Sequence, residues 1–147
     1  VLAVTAETIA IASDHAGFPM KEVLKKELTD GGYTVLDLGT SNEKSVDYPD
    51  FGKALAEAVT DGRVSRGVAV CGSGVGISIA VNRVPGARGA LVHDRLGIEL
   101  ARLHNDANVM VLGGRTTGIE VAKDCLRTFL ATEFEGGRHA RRVEKLG

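Results

Sequence analysis

One stretch of this 147-residue chain joins a reactive side chain to a bare backbone: Cys71-Gly72-Ser73-Gly74-Val75-Gly76-Ile77-Ser78. Glycines at alternate positions permit positive φ and let a ligand approach the main chain closely. Where such a loop opens a helix, several N–H groups converge and favour an anion. A thiol near those N–H dipoles can have its pKa lowered from about 8.5, which suits it to act as nucleophile or general base. A base beside an anion cradle is what acyl, phosphoryl or enediolate chemistry requires. The spacing is GxGxG, not the GxGxxG of a dinucleotide turn, and no Gly-Lys-Ser/Thr follows as in a P-loop. Without a ligand the same residues would make a tight strand–helix turn. Their glycine density favours an anion site that includes Gly72, Gly74 and Gly76.

Other groups stand at places where chemistry is possible. Asp14-His15 precedes Ala16-Gly17 and reads either as a helix cap or as an acid/base and hydroxyl-binding pair. His104-Asn105-Asp106 lies where a helix ends, so His104 either caps carbonyls or transfers protons, and Asn105 suits hydroxyl recognition. His93 directly follows an apolar run and is read as structural. Near the C-terminus, Arg138 and Arg142 are spaced i, i+4 and His139 and Arg142 i, i+3, so they share a helical face. Such a fork suits a phosphate dianion, which guanidinium binds bidentately; a solvated charged face is the alternative. Cys125 falls within a helical pattern and reads as structural.

The elements that must position these residues alternate. Strands are expected at Thr8–Ala12, Thr34–Leu38, Gly67–Val70, Gly89–Val92 and Asn108–Leu112. Helices are expected at Pro19–Asp30, Asp50–Asp61 and Gly76–Arg83. Three more are expected from an Asp94 N-cap through Arg102, from a Thr117 cap to about Thr132, and at Arg138–Lys145. Five strands separated by helices predict an α/β fold with a parallel sheet and helices on both faces. Ligands in such sheets bind beyond the carboxyl ends of the strands. Ser13-Asp14-His15, the Cys71 loop, His93 and Gly113-Gly114-Arg115 all fall there.

Composition agrees. The chain is 44% hydrophobic and 25% charged, as one soluble domain over residues 1–147 would be. The 19 glycines are scattered at element ends, and aromatics are only 4%, so Val, Ile, Leu and Ala must build the core. A net charge of −1 gives no global drive toward nucleic acid or membrane, and no stretch approaches transmembrane length. Two cysteines without CxxC spacing argue against a metal site or disulfide framework and fit a reducing, cytoplasmic setting. The apolar start lacks a basic region and carries Glu7, against a signal peptide. With no initiator Met, residues 1–7 are expected to include disordered, processed or appended sequence.

Five stretches together resemble the RpiB/LacAB sugar-phosphate isomerase family. They are Ser13-Asp14-His15-Ala16-Gly17, Asp47-Tyr48-Pro49-Asp50, Cys71 through Ser78, His104-Asn105-Asp106-Ala107-Asn108 and Gly137-Arg138-His139-Ala140-Arg141-Arg142. They run in the family order over roughly residues 8–147. The resemblance implies a Rossmann-like three-layer α/β/α sandwich with a five-stranded parallel sheet. It also implies a homodimer, often paired into a homotetramer, with active sites shared across the dimer interface, and neither metal nor organic cofactor. The implied reaction interconverts ribose 5-phosphate and ribulose 5-phosphate through a cis-enediolate. Cys71 would be the base, and His104 with Asp14 would open the sugar ring. Ser73, where the family commonly has Thr, and Asn105 would bind substrate oxygens. The N–H groups of Gly72–Gly76 would stabilise the enediolate. Arg138, His139, Arg142 and Arg115 would hold the phosphate, while His15 and Tyr48 match pocket positions. One family branch lacks the cysteine and uses a Glu later in the loop. Ile77 stands at that position here, which leaves Cys71 as the candidate base.

Alternatives stay open. Isomerisation of allose or galactose 6-phosphate would use the same motifs in a longer pocket. A non-catalytic sugar-phosphate or nucleotide sensor would need the arginines but not Cys71, Asp14 and His104. A cysteine hydrolase would leave the arginine fork without a purpose.

Overall fold

The computed structural model describes residues 7–147, so the expectation for residues 1–6 lies outside the described residues. Strands and helices alternate: β1 (Thr8–Ser13), α1 (Phe18–Asp30), β2 (Thr34–Asp37), α2 (Tyr48–Thr60), β3 (Arg66–Cys71), α3 (Val75–Asn82), β4 (Gly89–Leu91), α4 (Arg95–Asn105), β5 (Val109–Gly113), α5 (Ile119–Ala131) and α6 (Arg138–Leu146). All strand pairs are parallel, in the order β2-β1-β3-β5-β4. This is the expected Rossmann-like α/β sandwich.

Strand periodicity of two sorts the core into two layers. Ile9, Ile11, Val68, Val70, Met110 and Leu112 join Leu24, Leu28, Ile98, Leu126 and Phe129 of α1, α4 and α5 on one face. The alternate residues Ala10, Ala12, Ala69, Cys71, Val109 and Val111 face Leu55, Val59, Ile77 and Val81 of α2 and α3. Small side chains on that second face let α2 and α3 sit close. At Gly52 of α2, a Cβ would meet Ala80 Cβ at 2.9 Å and Ile77 Cγ1 at 3.0 Å.

The crossovers from β1 and β3 lead to opposite sides of the sheet, so the switch point lies between these two neighbouring strands. There a crevice opens at their carboxyl ends. Ser13 pairs with Val70 and Cys71 with Gly113. The three segments that follow β1, β3 and β5 therefore end at one level.

Most element bounds fall within one residue of the expected ones, and three helix termini differ in ways the structure explains. Helix α2 begins at Tyr48, with Pro49 in its first turn where a missing N–H costs nothing. Thr117 does not cap α5: Gly118 is the N-cap, while the Thr117 N–H donates to Gly113 O at 3.0 Å and so belongs to the preceding turn. Helix α4 runs past Arg102 to Asn105 and stops at Asp106, which adopts the left-handed conformation (φ 48°). Asp94 caps α4 as expected, its Oδ1 accepting from Gly97 N–H at 2.8 Å.

Candidate active site

Cys71 is the last residue of β3, and strand alternation turns its side chain toward α3. Gly74 follows with φ +80°, and this left-handed turn aims its N–H at Cys71 Sγ over 3.2 Å. Glycine is required there twice over. A side chain would be strained at that φ, and a Cβ would lie 2.5 Å from Leu91 Cδ1. Ser73 Oγ accepts from Val75 N–H at 3.2 Å. Among the described residues, the N–H groups of Gly76 and Ile77 in the first turn of α3 meet no acceptor. The glycine loop thus divides its donors. One amide donates to the sulfur, and the helix N-terminus remains open to an oxyanion.

Asp14 follows β1 and is buried. Its N–H donates to Val70 O at 3.2 Å, and its Oδ1 accepts from Gly17 N–H at 2.9 Å. Asp14 is not the N-cap of α1, a position Gly17 holds, but one of its carboxylate oxygens closes the turn that leads into that helix, and Oδ2 takes no hydrogen bond among the described residues. His15 Nδ1 accepts the Val46 N–H at 3.1 Å, which assigns the ring proton to Nε2. Tyr48, at the first position of α2, lies over Gly76, where a Cβ would meet its ring at 2.6 Å. After β5, the Arg115 N–H donates to Gly72 O at 2.8 Å, and its guanidinium lies against Gly72. It forms no salt bridge among the described residues.

These side chains line one cleft of about 390 Å³, comprising Asp14, His15, Tyr48, Cys71, Gly72, Ser73, Gly76 and Arg115 together with Ala16 and Thr116. Gly74 stands behind it, turned toward the sulfur. Thr116 was not expected in the cleft, although it directly follows the Gly113-Gly114-Arg115 turn that was. Val46, which orients His15, carries no signal in its own side chain because it acts through its main-chain N–H. His93 lines a separate cleft beside β4.

A second group gathers elsewhere. His104, in the last turn of α4, stacks on His139 of α6 with centroids 4.3 Å apart and planes 17° from parallel. His139 is buried, and its Nε2 has no hydrogen-bond partner among the described residues. Burial pushes its pKa below the ordinary imidazole range, reinforced by Arg138, His104 and Arg142 against the pull of Glu135. Arg138 Nη1 stands 3.8 Å from Glu135. Asn105 lines two clefts that also include Ala90 of β4. Arg142 is exposed. None of His104, Asn105, Arg138, His139 and Arg142 lines the Cys71 cleft of its own chain.

Donor atoms of His104, Glu135 and His139 fall within 4.8 Å of one another. The stacked rings hold their lone pairs in two separate, near-parallel planes, however, whereas two nitrogens on one zinc ion, at ~2.0–2.1 Å each, must converge. The arrangement is that of a stacked pair beside arginines, not of a metal centre. Cys125 is enclosed in the core, which raises its thiol pKa to about 11 and leaves it unreactive.

The parallel sheet, its switch-point cleft and the thiol beside glycine amides define an α/β protein built for a small anionic substrate. The family model described as Ribose/Galactose Isomerase matches residues 9–146. Ribose-5-phosphate isomerase B of Escherichia coli (strain K12) is 41% identical over 94% of this chain and 93% of its own. D-erythrulose-4-phosphate isomerase of Pectobacterium atrosepticum is 40% identical over 95% of this chain and 93% of its own. The solved structure of Clostridium thermocellum ribose-5-phosphate isomerase B superposes with a TM-score of 0.94 at 48% identity, covering 95% of each chain. The chain belongs to the ribose/galactose isomerase family.

Proposed function

We propose that residues 7–147 form one sugar-phosphate isomerase domain that interconverts ribose 5-phosphate and ribulose 5-phosphate through a cis-enediolate. The observation that carries this reading is Cys71 Sγ at the switch point, held by Gly74 N–H in a cleft shared with Asp14 and Arg115. The Cys71 thiolate takes the C2 proton of the open-chain aldose. The C–H electrons form the C1–C2 double bond, and the aldehyde oxygen becomes the enediolate oxygen, facing the free N–H groups of Gly76 and Ile77. Return of the proton to C1, with transfer of the O2 proton to O1, leaves a ketone at C2 and a hydroxyl at C1. Ser73 binds a substrate oxygen. Asp14 Oδ2 is free to handle the ring oxygen or a hydroxyl, and His15 and Tyr48 wall the substrate in. Ile77 is fully buried and apolar, so the loop holds no carboxylate to replace the thiol.

The same reading pairs two copies of the chain. His104, Asn105, Arg138, His139 and Arg142 of a second copy complete each cleft, with His104 opening the sugar ring and the arginines holding the phosphate. Two observations support this. That group lies apart from the Cys71 cleft of its own chain, and the apolar side chains Val75, Ile79, Leu96 and Leu100 stand exposed on the two helices that flank the edge strand β4. Pairing of dimers into tetramers belongs to the same proposal. Two free, buried cysteines suit a reducing cytoplasm, and no helix among the described residues is long and apolar enough to cross a membrane.

Carbon-chain length is the second axis. The Pectobacterium relative is named for a four-carbon ketose phosphate, and the six-carbon phosphates remain the near alternative. Assaying the purified protein with four-, five- and six-carbon phosphates side by side tests the choice, and activity on six-carbon substrates alone overturns it. Solvent deuterium at the reacting carbon separates an isomerase from a sensor, because a binder leaves that proton in place.

A further inference from the structure

The residues that hold His104 in place have no part in the Cys71 cleft. The last turn of a helix frays unless its carbonyls and charges are tied. Here the tie is Arg102. Its guanidinium is buried and splits three ways: Nη1 donates to Asp106 Oδ1 at 2.8 Å and to Ala107 O at 2.8 Å, and Nε donates to Thr132 O at 3.0 Å. Arg88 grips the other side of Asp106, with Nε on its carbonyl at 2.8 Å and Nη2 on Oδ2 at 3.3 Å. Asp106 is thereby held in the left-handed conformation that ends α4 directly after His104-Asn105.

Thr132 belongs to the segment that leads to α6. The Arg102–Thr132 bond therefore couples the end of α4 to the strap carrying His139. The Glu135 N–H donates to Leu103 O at 3.1 Å and repeats the coupling one turn away. His104 and His139 stem from elements far apart in the chain, and their rings meet face to face only if these two segments stay in register.

We propose that Arg102 is a positioning residue for His104: its three-way guanidinium, through Asp106 and Thr132, holds the His104–His139 stack in the geometry that ring opening needs. The proposal rests on the isomerase reading and adds to it a residue that touches no substrate.

Ribulose 5-phosphate has its C5 oxygen blocked and so stays acyclic. Its exchange of the C1 proton with solvent needs Cys71 but no ring opening, whereas turnover of ribose 5-phosphate, a furanose, needs both. The variant is Arg102→Lys, which keeps a cation beside Asp106 but cannot serve three acceptors in a planar fork. Expected is a fall of about tenfold in kcat for ribose 5-phosphate with KM near the parent value, a fraction of what general acid–base catalysis contributes. Deuterium exchange into ribulose 5-phosphate stays within about twofold, since the general base is untouched. The proton NMR signals of the two imidazoles provide a second readout, independent of turnover: the upfield shifts caused by stacking diminish in the variant. Equal losses of turnover and exchange, unchanged turnover, or unchanged imidazole signals would each overturn the proposal. A parent protein that neither turns over ribose 5-phosphate nor exchanges the ketose proton overturns the isomerase reading, and this inference with it.

Discussion

The amide N–H of Gly74 points at the sulfur of Cys71 from 3.2 Å. Three residues of chain, folded back by one left-handed glycine, place a hydrogen-bond donor on the atom that the proposed mechanism uses as its base. The bond occupies one loop amide and leaves the N–H groups at the start of α3 without an acceptor among the described residues.

Cys71→Ala should therefore abolish proton transfer while leaving the fold in place. The expected loss in kcat is about 10²–10⁴, the usual contribution of a general base. Cys71 is a small side chain at a strand end, so the melting temperature should move little. Solvent deuterium incorporation at the parental rate in the purified variant would show that another group is the base.

Gly74→Ala probes the amide itself. The φ of +80° and the 2.5 Å approach to Leu91 Cδ1 leave no room for a methyl group. A stability loss of about 1–3 kcal/mol is expected from backbone strain. If the N–H favours the thiolate, iodoacetamide should also alkylate Cys71 more slowly at neutral pH under native conditions. Unchanged alkylation would deny the amide that part.

Lys21 and Asp37 give an asymmetric stability test. Lys21 is fully buried and donates to both Asp37 oxygens at 2.9 and 2.8 Å, while Asp37 is partly exposed and also holds Lys25 at 2.9 Å. Asp37→Asn leaves a buried ammonium with only Glu22 as an ionic partner and should cost about 3–5 kcal/mol. Lys21→Met leaves Asp37 with Lys25 and solvent, and should cost less. Urea denaturation of both variants checks the order, and the reverse order would place the desolvation penalty on the wrong partner.

His139 makes stability depend on pH. Burial lowers its folded pKa below the ordinary value of 6.5, with Arg138, His104 and Arg142 adding to the effect. Below 6.5 the unfolded chain takes up a proton that the folded chain refuses, so stability falls with falling pH until the folded pKa is passed. The lowered carboxylates Glu7 and Asp37 act in a separate window, since their ordinary values are 4.5 and 3.8. His139→Gln should flatten the dependence of melting temperature on pH just below 6.5 and leave the acid limb as it is. An unchanged slope in that window would remove His139 as its source.

Ile79→Glu tests the pairing of two copies. Ile79 is 53% exposed on α3, so the single chain should fold with the substitution. A charge buried at an interface core disfavours assembly. Sedimentation should report a smaller species, and activity should fall with it if each cleft needs a second copy. Full activity in a monomer would show that one chain suffices.

Much of this was legible in order along the chain. Apolar runs at Thr8–Ala12 and Gly67–Val70 marked strands covered on both faces, and the glycine loop announced itself by composition. Asp94 before an apolar-periodic run signalled a helix start that the structure confirms. The end of α4 was not legible. Its stop is an aspartate held left-handed by Arg102 and Arg88, not a glycine, and one of those arginines comes from another segment. Thr117 looked like a cap because its residue type is right, but Gly118 holds that position and the buried Thr117 hydroxyl reaches no hydrogen-bond partner among the described residues.

By itself, the sequence determined that a thiol would stand at a strand end beside glycine amides, with acids, imidazoles and arginines at known offsets. These are properties of local periodicity and backbone permissiveness, which neighbouring residues decide among themselves. Only the tertiary structure decided that β5 lies between β3 and β4, that Arg115 shares a cleft with Cys71, and that His104 stacks on His139 away from that cleft. Those relations join residues distant in the chain through packing and hydrogen bonds, and no local pattern encodes which distant partner will be met.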